Sequence, residues 1–486
     1  MLRKIIGGMG LLSLISISTC FGVAVKPKVV IYPAPAGEKL SEAYTVSVQG
    51  QQVPVYIAKV APGDRIKRFK DVDDTRHSAG YFETAAFAYF DMQGAVKVTI
   101  SIPGDINSAK ILPASAAIKP ALSAHSITFT ITKPQNLVIE INGEIVQSLH
   151  LFANPLEKDI PNPNDPNVIF YGPGIHQVSH LLVGSNKTVY IAGGAIVQAV
   201  IDPNEKFTVN TKDSLKNYGS PTFELTGRNI TFRGRGILDA SLCPTHARNL
   251  LMVRKGSNIE IEGVILRDAA TWNMPVRQSD SVLVDNVKIL GYRSNSDGID
   301  ICNSRDVLVK NCFIRTDDDL IVVKADKGQG PSQRIIAQNN VLWNPVAHAL
   351  SIGAEIREPV DDVLFTDCDI IHDLGREWSM RVYQCDAAMV SNIRFENIRV
   401  EEAHKLISLW IGKAIWSRDK DFGQIQHINF KNIHAIGAPL NVELTGADAQ
   451  HGIQGVNFSN VLLNGKAISL QDVKTNGFAK DIRVGP

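Results

Sequence analysis

Two clusters of aspartates lie close together in the stretch from Asn295 to Lys324, which reads NSDGIDICNSRDVLVKNCFIRTDDDLIVVK. Asp297 and Asp300 form the first cluster, and residues 317–319 form a run of three. Each cluster borders an apolar, β-branched run that predicts a strand. Carboxylates packed together repel one another unless one holds a proton or a ligand needs them. The stretch therefore predicts acid–base chemistry, and a solvated acidic turn is the alternative interpretation.

His348 and Arg381 extend the same pattern. Like Asp297 and the pair Asp318–Asp319, each follows an apolar run and its turn, so these positions predict one common face of the molecule. Two carboxylates beside a His and an Arg form a glycosidase-type arrangement, in which an acid protonates the leaving oxygen and a base activates water. Arg and His can hold the sugar and tune the acid. Taken alone, His348 could equally be a turn residue, and Arg381 would be better explained as a surface cation.

The elements that must position these residues form a repeat. Runs of the form N-I-x-F-x-N-x-x-I recur with a period of roughly 23 to 35 residues, which is the range of solenoid repeats. The runs begin near Asn229, Asn258, Ser281, Asp306, Arg334, Asp362, Asn392, His427 and Gly455. Each unit reads as short strands joined by Asn and Gly turns, with no helical period. The pattern predicts a right-handed parallel β-helix over residues 168–486, with apolar residues stacked inside.

A different pattern precedes the repeat, over residues 27–152. Short alternating runs with turn breaks, such as YTVSVQG and NLVIEING, predict an antiparallel β-sandwich domain. No residue there suggests catalysis, and an acidic residue such as Asp91 is expected at the surface or in a turn. Residues 153–167 are dense in Pro, Asn and Asp and predict a linker. The fold class is therefore all-β.

Size and charge exclude some classes of partner. The chain has 486 residues, which exceeds the usual size of one domain and suits two domains or one long repeat. Its 50 basic and 49 acidic residues nearly balance, which gives no support for nucleic acid or an anionic membrane as a partner. We expect a monomer that binds a polysaccharide.

The first 24 residues, MLRKIIGGMGLLSLISISTCFGVA, predict a signal peptide. Arg3 and Lys4 precede an apolar core that is too short to span a bilayer, and Gly22-Val23-Ala24 offers a small-residue cleavage site. Lipidation at Cys20 is the alternative. No later segment is long and apolar enough for a membrane helix, so we expect a secreted or periplasmic protein.

The other cysteines show no CxxC or Cys/His metal spacing. Cys302, Cys312 and Cys368 lie in strand-like runs, which favours buried thiols over a redox centre, although a disulfide between coils is compatible with the spacing. We predict no metal and no cofactor.

At these motifs the chain resembles the polygalacturonase family, glycoside hydrolase family 28, and its clan relatives, the dextranases of family 49. Family 28 carries an Asn-Thr-Asp triplet, an Asp-Asp pair, a Gly-His-Gly and an Arg-x-Lys. The corresponding segments here are Asn295-Ser296-Asp297, Asp318-Asp319, Ala347-His348-Ala349 and Arg381-Val382-Tyr383. The resemblance covers about the middle fifth of the chain, with the motifs in the family's order.

The resemblance implies an inverting hydrolase of an α-linked polysaccharide. Asp318 would be the general acid, while Asp297 and Asp319 would position and deprotonate the water. His348 would assist near the acid, and Arg381 would bind the sugar beyond the cleaved bond. Inversion predicts a separation of about 6.5–9.5 Å between the acid and the base.

Two departures from family 28 bear on the substrate. Tyr383 stands where the family has the Lys that grips a uronate carboxylate, and the residues flanking His348 are alanines. The TDDD run, Lys324 and a sandwich placed before the β-helix look more like the dextranase arrangement. The run also leaves open whether Asp317-Asp318 or Asp318-Asp319 is the working pair.

Aromatic rings and polar side chains near the aspartates are candidates to bind the sugar, because a pyranose face stacks on a ring. Trp272 and Tyr383 are the first-ranked platforms. Lys324 is predicted to contact the substrate or to pair with the acids, and Glu355 is a plausible rim contact. With Arg381 and Asn295 these residues complete the predicted substrate-binding set.

Four functions remain compatible with the sequence. The leading one is a polygalacturonase-like hydrolase, followed by a dextranase-like α-glucanase. A calcium-dependent pectate lyase is the third, because β-helices with clustered Asp can bind calcium. The fourth is a β-helix that binds glycans without cleaving them.

Overall fold

The computed structural model describes residues 26–63, 81–210 and 214–485. The predicted signal peptide and Cys20 lie outside these ranges. The described residues contain strands and two short 3-10 turns, at Ala114–Ala116 and Leu470–Asp472, but no α-helix. In this part of the chain no helix could span a membrane.

The first part of the chain forms a six-stranded sheet and a five-stranded sheet. Their strands are β1 Lys28–Val30, β2 Thr45–Val48, β3 Gln51–Val53, β4 Tyr56–Val60, β5 Glu83–Gln93, β6 Val96–Ser101, β7 Ala109–Leu112, β8 Ala121–Leu122, β9 Ser126–Ile131, β10 Gln135–Ile141 and β11 Leu149–Pro155. The six-stranded sheet has the order β1-β5-β11-β10-β7, with β4 also beside β5, and the five-stranded sheet has the order β3-β2-β6-β9-β8.

The two sheets pack face to face as a sandwich, because alternate residues of both point into one apolar cluster. Val98 and Phe129 of the smaller sheet and Phe90 and Leu151 of the larger one belong to that cluster. The pairing is antiparallel except between β5 and β11, which run parallel. The purely antiparallel prediction is therefore wrong for this one pair, which joins strands separated by a long stretch of chain.

The remaining strands form a 28-stranded, almost entirely parallel sheet and one two-stranded ribbon. They are β12 Val168–Tyr171, β13 Gly174–Val178, β14 Leu181–Val183, β15 Thr188–Ile191, β16 Ala195–Ala199, β17 Thr208–Val209, β18 Lys216–Asn217, β19 Phe223–Gly234, β20 Ile237–Asp239, β21 Leu251–Glu262, β22 Ile265–Arg267, β23 Met274–Arg277, β24 Asp280–Asp285, β25 Lys288–Leu290, β26 Ile299–Cys302, β27 Arg305–Lys310, β28 Phe313–Arg315, β29 Ile321–Ala325, β30 Ser332–Gln338, β31 Val341–Asn344, β32 Leu350–Ile356, β33 Val360–Thr366, β34 Asp369–Asp373, β35 Met380–Gln384, β36 Met389–Ile411, β37 Gln424–Thr445, β38 Ile453–Leu463, β39 Lys466–Ala467, β40 Val473–Thr475 and β41 Ala479–Gly485.

These strands wind as three parallel faces, which confirms the predicted β-helix. One face continues through β21, β24, β27, β30 and β33. A second continues through β20, β22, β25, β28, β31 and β34. The third continues through β23, β26, β29, β32 and β35. We call the third face the site sheet, because it bears the predicted active-site residues.

The residues that begin the repeat turn the chain into each coil. Asn229, Asn258, Asp306 and Asn392 all have φ between 55° and 57°, in the left-handed region. Asn and Asp tolerate this conformation better than other non-glycine residues, which explains why they recur there. Asn side chains also bond from coil to coil, as where Asn258 Nδ2 donates to Asn229 Oδ1 at 2.9 Å.

The interior of the β-helix is a continuous apolar core. Phe365, Phe395, Phe430 and Phe458 stack from coil to coil with centroid separations of 5.0–5.1 Å. This spacing follows from the distance between neighbouring parallel strands, which brings like residues in register into contact. The five cysteines in the described ranges are buried and free, which confirms the prediction of buried thiols.

The sandwich packs against the second face of the β-helix. Phe87 and Phe152 of the sandwich pack with Leu290 and Phe313 of that face. A buried ion pair accompanies this apolar contact, as Arg235 Nε of the β-helix lies 2.9 Å from Asp91 Oδ1 of β5.

The surface or turn position expected for Asp91 is therefore wrong. Its carboxylate is fully buried and also accepts hydrogen bonds from the Tyr32 hydroxyl and the Glu157 backbone N–H. The cause is a tertiary contact, since the guanidinium that pairs with Asp91 belongs to Arg235, far along the chain.

Candidate active site

Strand register brings the predicted residues together. β26 pairs with β29, and β29 pairs with β32, so the residues two positions before these strands lie side by side. These residues are Asp297, Asp319 and His348. The close approach depends on Gly298, since a Cβ there would lie 2.3 Å from the carbonyl oxygen of Leu320 in the next coil.

Three carboxylates converge at this point. One oxygen each from Asp297, Asp318 and Asp319 lies within 4.8 Å of the other two. Asp317 is not in this group, although it is buried. Of the two pairs that the sequence left open, Asp318-Asp319 therefore faces Asp297.

Asp318 is the most accessible of the three, being half-buried, whereas Asp297 and Asp319 are buried. It accepts hydrogen bonds from the backbone N–H of Asp319 at 3.0 Å and from Asn295 Nδ2 at 3.4 Å. Asn295, predicted to bind substrate, thus contacts the predicted acid. Asn295 itself lies in the turn before β26 and has a left-handed φ of 57°.

Asp319, His348 and Arg381 form a hydrogen-bonded chain. His348 Nδ1 lies 2.5 Å from Asp319 Oδ1, and Arg381 Nη1 lies 3.1 Å from His348 Nε2. A guanidinium only donates, so Nε2 must accept and Nδ1 must carry the hydrogen that is donated to Asp319. His348 therefore orients Asp319 and links it to Arg381.

Lys324 lies beneath the aspartates. Its Nζ is 3.3 Å from Asp297 Oδ2, 3.0 Å from Asp300 Oδ1 and 3.7 Å from Glu355 Oε2. The same Nζ lies 4.2 Å from the centroid of the Trp272 ring. Of the two roles predicted for Lys324, the structure places it in contact with the acids.

The three carboxylates differ in their proton affinity. Burial and the charges of Asp300 and Asp318 hold the pKa of Asp297 well above its ordinary value. Burial and the neighbouring Asp319 raise the pKa of Asp318 to about 6. Burial alone would raise the pKa of Asp319 as well, but contact with His348 holds that pKa below its ordinary value. The site thus places a carboxyl that can hold a proton next to a carboxylate that stays ionised, which acid–base catalysis requires.

Arg381 reaches this cluster from a different position than the spacing predicted. In the strand register it is equivalent to Asp300 and Ser351, within the strands rather than before them. The prediction that Arg381 occupies the same position in its coil as the aspartates and His348 is therefore wrong. Arg381 contacts the site through its long side chain.

Glu377 is a residue of the site that the sequence did not reveal. Its Oε2 lies 2.5 Å from Arg381 Nη1 and 3.9 Å from His348 Nε2, and its side chain is 31% exposed. Glu377 belongs to the turn before β35, where no periodic pattern indicates the direction of a side chain. The sequence feature that could have indicated its role is the spacing of four residues between this acidic residue and Arg381.

The two predicted sugar platforms flank the cluster. Tyr383 lies against the Arg381 guanidinium, 3.8 Å from ring centroid to Cζ, and its ring centroid is 6.3 Å from that of His348. Trp272 contacts Lys324 and also the Arg277 guanidinium, whose Cζ lies 5.2 Å from the ring centroid. Both rings are half-buried, and their contact with a sugar remains a prediction.

The carboxylate spacing differs from the expected one. Oxygens within 4.8 Å of one another are closer than the about 6.5–9.5 Å expected between an acid and a base for inversion. The short spacing follows from the adjacency of the coils and from Asp318 and Asp319 being consecutive. Two oxygens at this distance can both accept hydrogen bonds from a single water molecule, because each such bond is about 2.5–3.0 Å long.

The same three carboxylates could approach one cation, so we considered a metal at this point. Asp297 already has the Lys324 ammonium as its counter-ion, and Asp319 already accepts a hydrogen bond from His348 Nδ1. We assign no metal to the site.

Comparison with known proteins identifies a matching family. The family model described as Glycosyl hydrolases family 28 matches residues 185–478, which is more than half of the chain. A polygalacturonase from Chamaecyparis obtusa is 25% identical over 250 residues, covering 47% of this chain and 47% of that protein. The chain thus spans about half the length of the curated relatives it matches.

Two solved structures share the fold over nearly the whole chain. Dex49A from Penicillium minioluteum superposes with a TM-score of 0.61 at 13% identity, covering 93% of this chain and 96% of that one. A family 28 exopolygalacturonase from Yersinia enterocolitica superposes with a TM-score of 0.52 at 14% identity, covering 94% and 96%. At these identities the likeness concerns the fold alone.

Proposed function

This chain belongs to glycosyl hydrolases family 28, and from that premise we propose that it is a secreted hydrolase that cleaves an α-linked polysaccharide. One observation carries the proposal. The site sheet brings Asp297, Asp318 and Asp319 together while their surroundings drive their pKa values in opposite directions. Pairs of titratable groups with separated pKa values are the signature of an acid and a base.

We propose a role for each group from its local environment. Asp318 protonates the leaving oxygen, because it is the accessible carboxyl and its pKa is raised to about 6. Asp319 accepts the proton of the attacking water, because its pKa is held low. His348 orients Asp319, and Arg381 anchors His348.

Asp297 completes the site by holding the water. Oxygens of Asp297 and Asp319 lie within 4.8 Å of each other, a spacing that one water can bridge with a hydrogen bond to each. We propose that this water, and not a carboxylate, is the attacking group. The reaction is then a single displacement with inversion of the anomeric carbon. The spacing of 4.8 Å or less lies below the usual inverting range, so the anomer must be measured.

Proton NMR of the first product formed provides that measurement. The anomer opposite to that of the substrate supports a water nucleophile. The same anomer as in the substrate would assign one of the carboxylates to a covalent intermediate instead, and would contradict this mechanism.

A pectic polymer is the first substrate to test. The curated relatives are named as polygalacturonases, and the motif order resembles that family. A neutral α-glucan is the second candidate. It is favoured by Tyr383, which places an uncharged phenol against Arg381 where family 28 has a Lys.

A substrate panel tests the proposal. Wild type and Asp318→Asn are assayed for reducing-sugar release from polygalacturonate, rhamnogalacturonan, dextran and pullulan, with Asp306→Asn as a control at an exposed carboxylate. We expect saturated products from a pectic polymer with wild type and the control, and a loss of about 10²- to 10⁴-fold with Asp318→Asn, the usual contribution of a general acid. Activity on dextran alone would select the second candidate.

Two outcomes of the panel would contradict hydrolysis. Unsaturated products that absorb in the ultraviolet and disappear with a chelator would identify a calcium-dependent lyase. Binding of a polymer without cleavage, unchanged by Asp318→Asn, would identify a glycan-binding protein.

We also propose that the chain is exported and acts as a monomer. The basic start and short apolar core of residues 1–24 support export. The mass of the mature protein tests the cleavage site against lipidation at Cys20, and light scattering tests the oligomeric state.

A further inference from the structure

We infer that Lys324 is a positioning residue of the active site, and that its buried ammonium group keeps Asp297 in place without touching the substrate. The inference rests on the proposed function, because Asp297 is there the group that holds the water.

The ammonium joins three successive coils. Asp300 belongs to β26, Lys324 to β29 and Glu355 to β32, and these strands are consecutive in the site sheet. The Nζ atom lies 3.0 Å from Asp300 and 3.7 Å from Glu355, and it reaches Asp297 at 3.3 Å. One cation therefore links the carboxylate of the site to two carboxylates outside it.

The surroundings of Lys324 leave little room for a sugar. Its side chain is 8% exposed, and that of Asp300 is not exposed at all. The Trp272 ring lies against the ammonium, at 4.2 Å from the centroid. The Lys324 ammonium already makes favourable contacts with three carboxylates and with the face of an aromatic ring. A direct contact with substrate would require these contacts to be broken.

Loss of the ammonium would leave two buried carboxylates facing each other. Asp297 Oδ1 has no hydrogen-bond partner among the described residues, and Lys324 makes the ionic contact with the other oxygen, Oδ2. An unpaired buried charge is strongly unfavourable. Repulsion from Asp300 would then drive Asp297 out of its position beside the water.

Steady-state kinetics of Lys324→Met distinguish positioning from substrate binding. Met has a similar length and lacks the charge. If Lys324 positions Asp297, kcat falls by about 100-fold and KM changes by less than about threefold, since the affected step is chemistry. If Lys324 binds the sugar in the ground state, KM rises and kcat is kept, which would overturn the inference.

A double variant provides a second test. Asp300→Asn removes one of the two uncompensated charges that Lys324→Met creates and so relieves their repulsion. The double variant should therefore recover at least about tenfold in kcat over Lys324→Met alone. Such non-additivity is expected of groups in direct contact. A double variant that is no better than the single one would contradict the inference, because a purely steric role predicts no recovery.

A milder substitution covers the case in which Lys324→Met does not fold, as judged by circular dichroism. Glu355 is 30% exposed at its side chain and contributes the longest of the three contacts. We expect Glu355→Gln to fold and to lower kcat by about two- to fivefold with KM unchanged. An increase in KM alone would overturn the inference. Absence of hydrolysis by the wild type would overturn the proposed function and this inference together, so the two failures are distinguishable.

Discussion

The pH dependence of hydrolysis is the most direct test of the proton assignments. Asp318 must be protonated to donate to the leaving oxygen, and its pKa is raised to about 6 by burial and by Asp319. Such a group is about 90% protonated at pH 5 and about 1% protonated at pH 8. Asp319, whose pKa is held below its ordinary value, remains ionised over this range. Loss of the Asp318 proton by itself therefore predicts that kcat/KM falls about 90-fold from pH 5 to pH 8.

Initial rates of reducing-sugar release between pH 4 and 8.5, at constant ionic strength, provide the measurement. Enzyme held at pH 8 and then assayed at pH 5 controls for irreversible loss of structure. The residual activity of Asp318→Asn should lack the alkaline decline, because an amide has no proton to lose. A wild-type profile that is flat or rising from pH 5 to 8 would refute the assignment of Asp318 as the acid.

Three further predictions concern neighbouring residues. His348→Ala should lower kcat by about 10- to 100-fold, because it removes a hydrogen bond to the charged Asp319; an unchanged kcat in a folded variant would contradict this role. Asp91→Ala should lower the free energy of unfolding by about 3–5 kcal/mol, because the buried Arg235 would lose its nearest carboxylate and keep a longer contact, of 3.9 Å, with Glu262. Chemical denaturation measures this loss, and a change below about 1 kcal/mol would argue against a buried, intact pair. Tyr383→Lys should raise kcat/KM several-fold on polygalacturonate relative to dextran, since an added ammonium attracts a uronate; an equal ratio in both enzymes would show that this position does not select charge.

The β-helix was predictable because its signals are local. The residues that start each coil, such as Asn229 and Asn258, adopt left-handed backbone conformations that favour Asn and Asp. The apolar positions between them alternate with the period of a strand. Each coil needs the same turn residues and the same alternation, so the sequence pattern recurs many times along the chain.

The composition of the active site was partly predictable for the same reason. Asp297, Asp319 and His348 occupy equivalent positions before strands of successive coils, and aligning the repeat aligns them. The family resemblance added the order of the motifs. The choice of the pair Asp318-Asp319 over Asp317-Asp318 was not predictable, because consecutive residues in a turn have no periodicity that indicates their direction.

The sequence by itself determined the repeat, the site sheet and the coils that bear the carboxylates. The tertiary structure alone decided the roles that depend on side-chain direction and on distant contacts. Lys324 contacts three carboxylates, and Glu377 forms an ion pair with Arg381. Asp91 pairs with Arg235 across the interface between the sandwich and the β-helix. The physical reason is that strand pairing follows a local period, whereas an ion pair forms wherever folding brings two charges together.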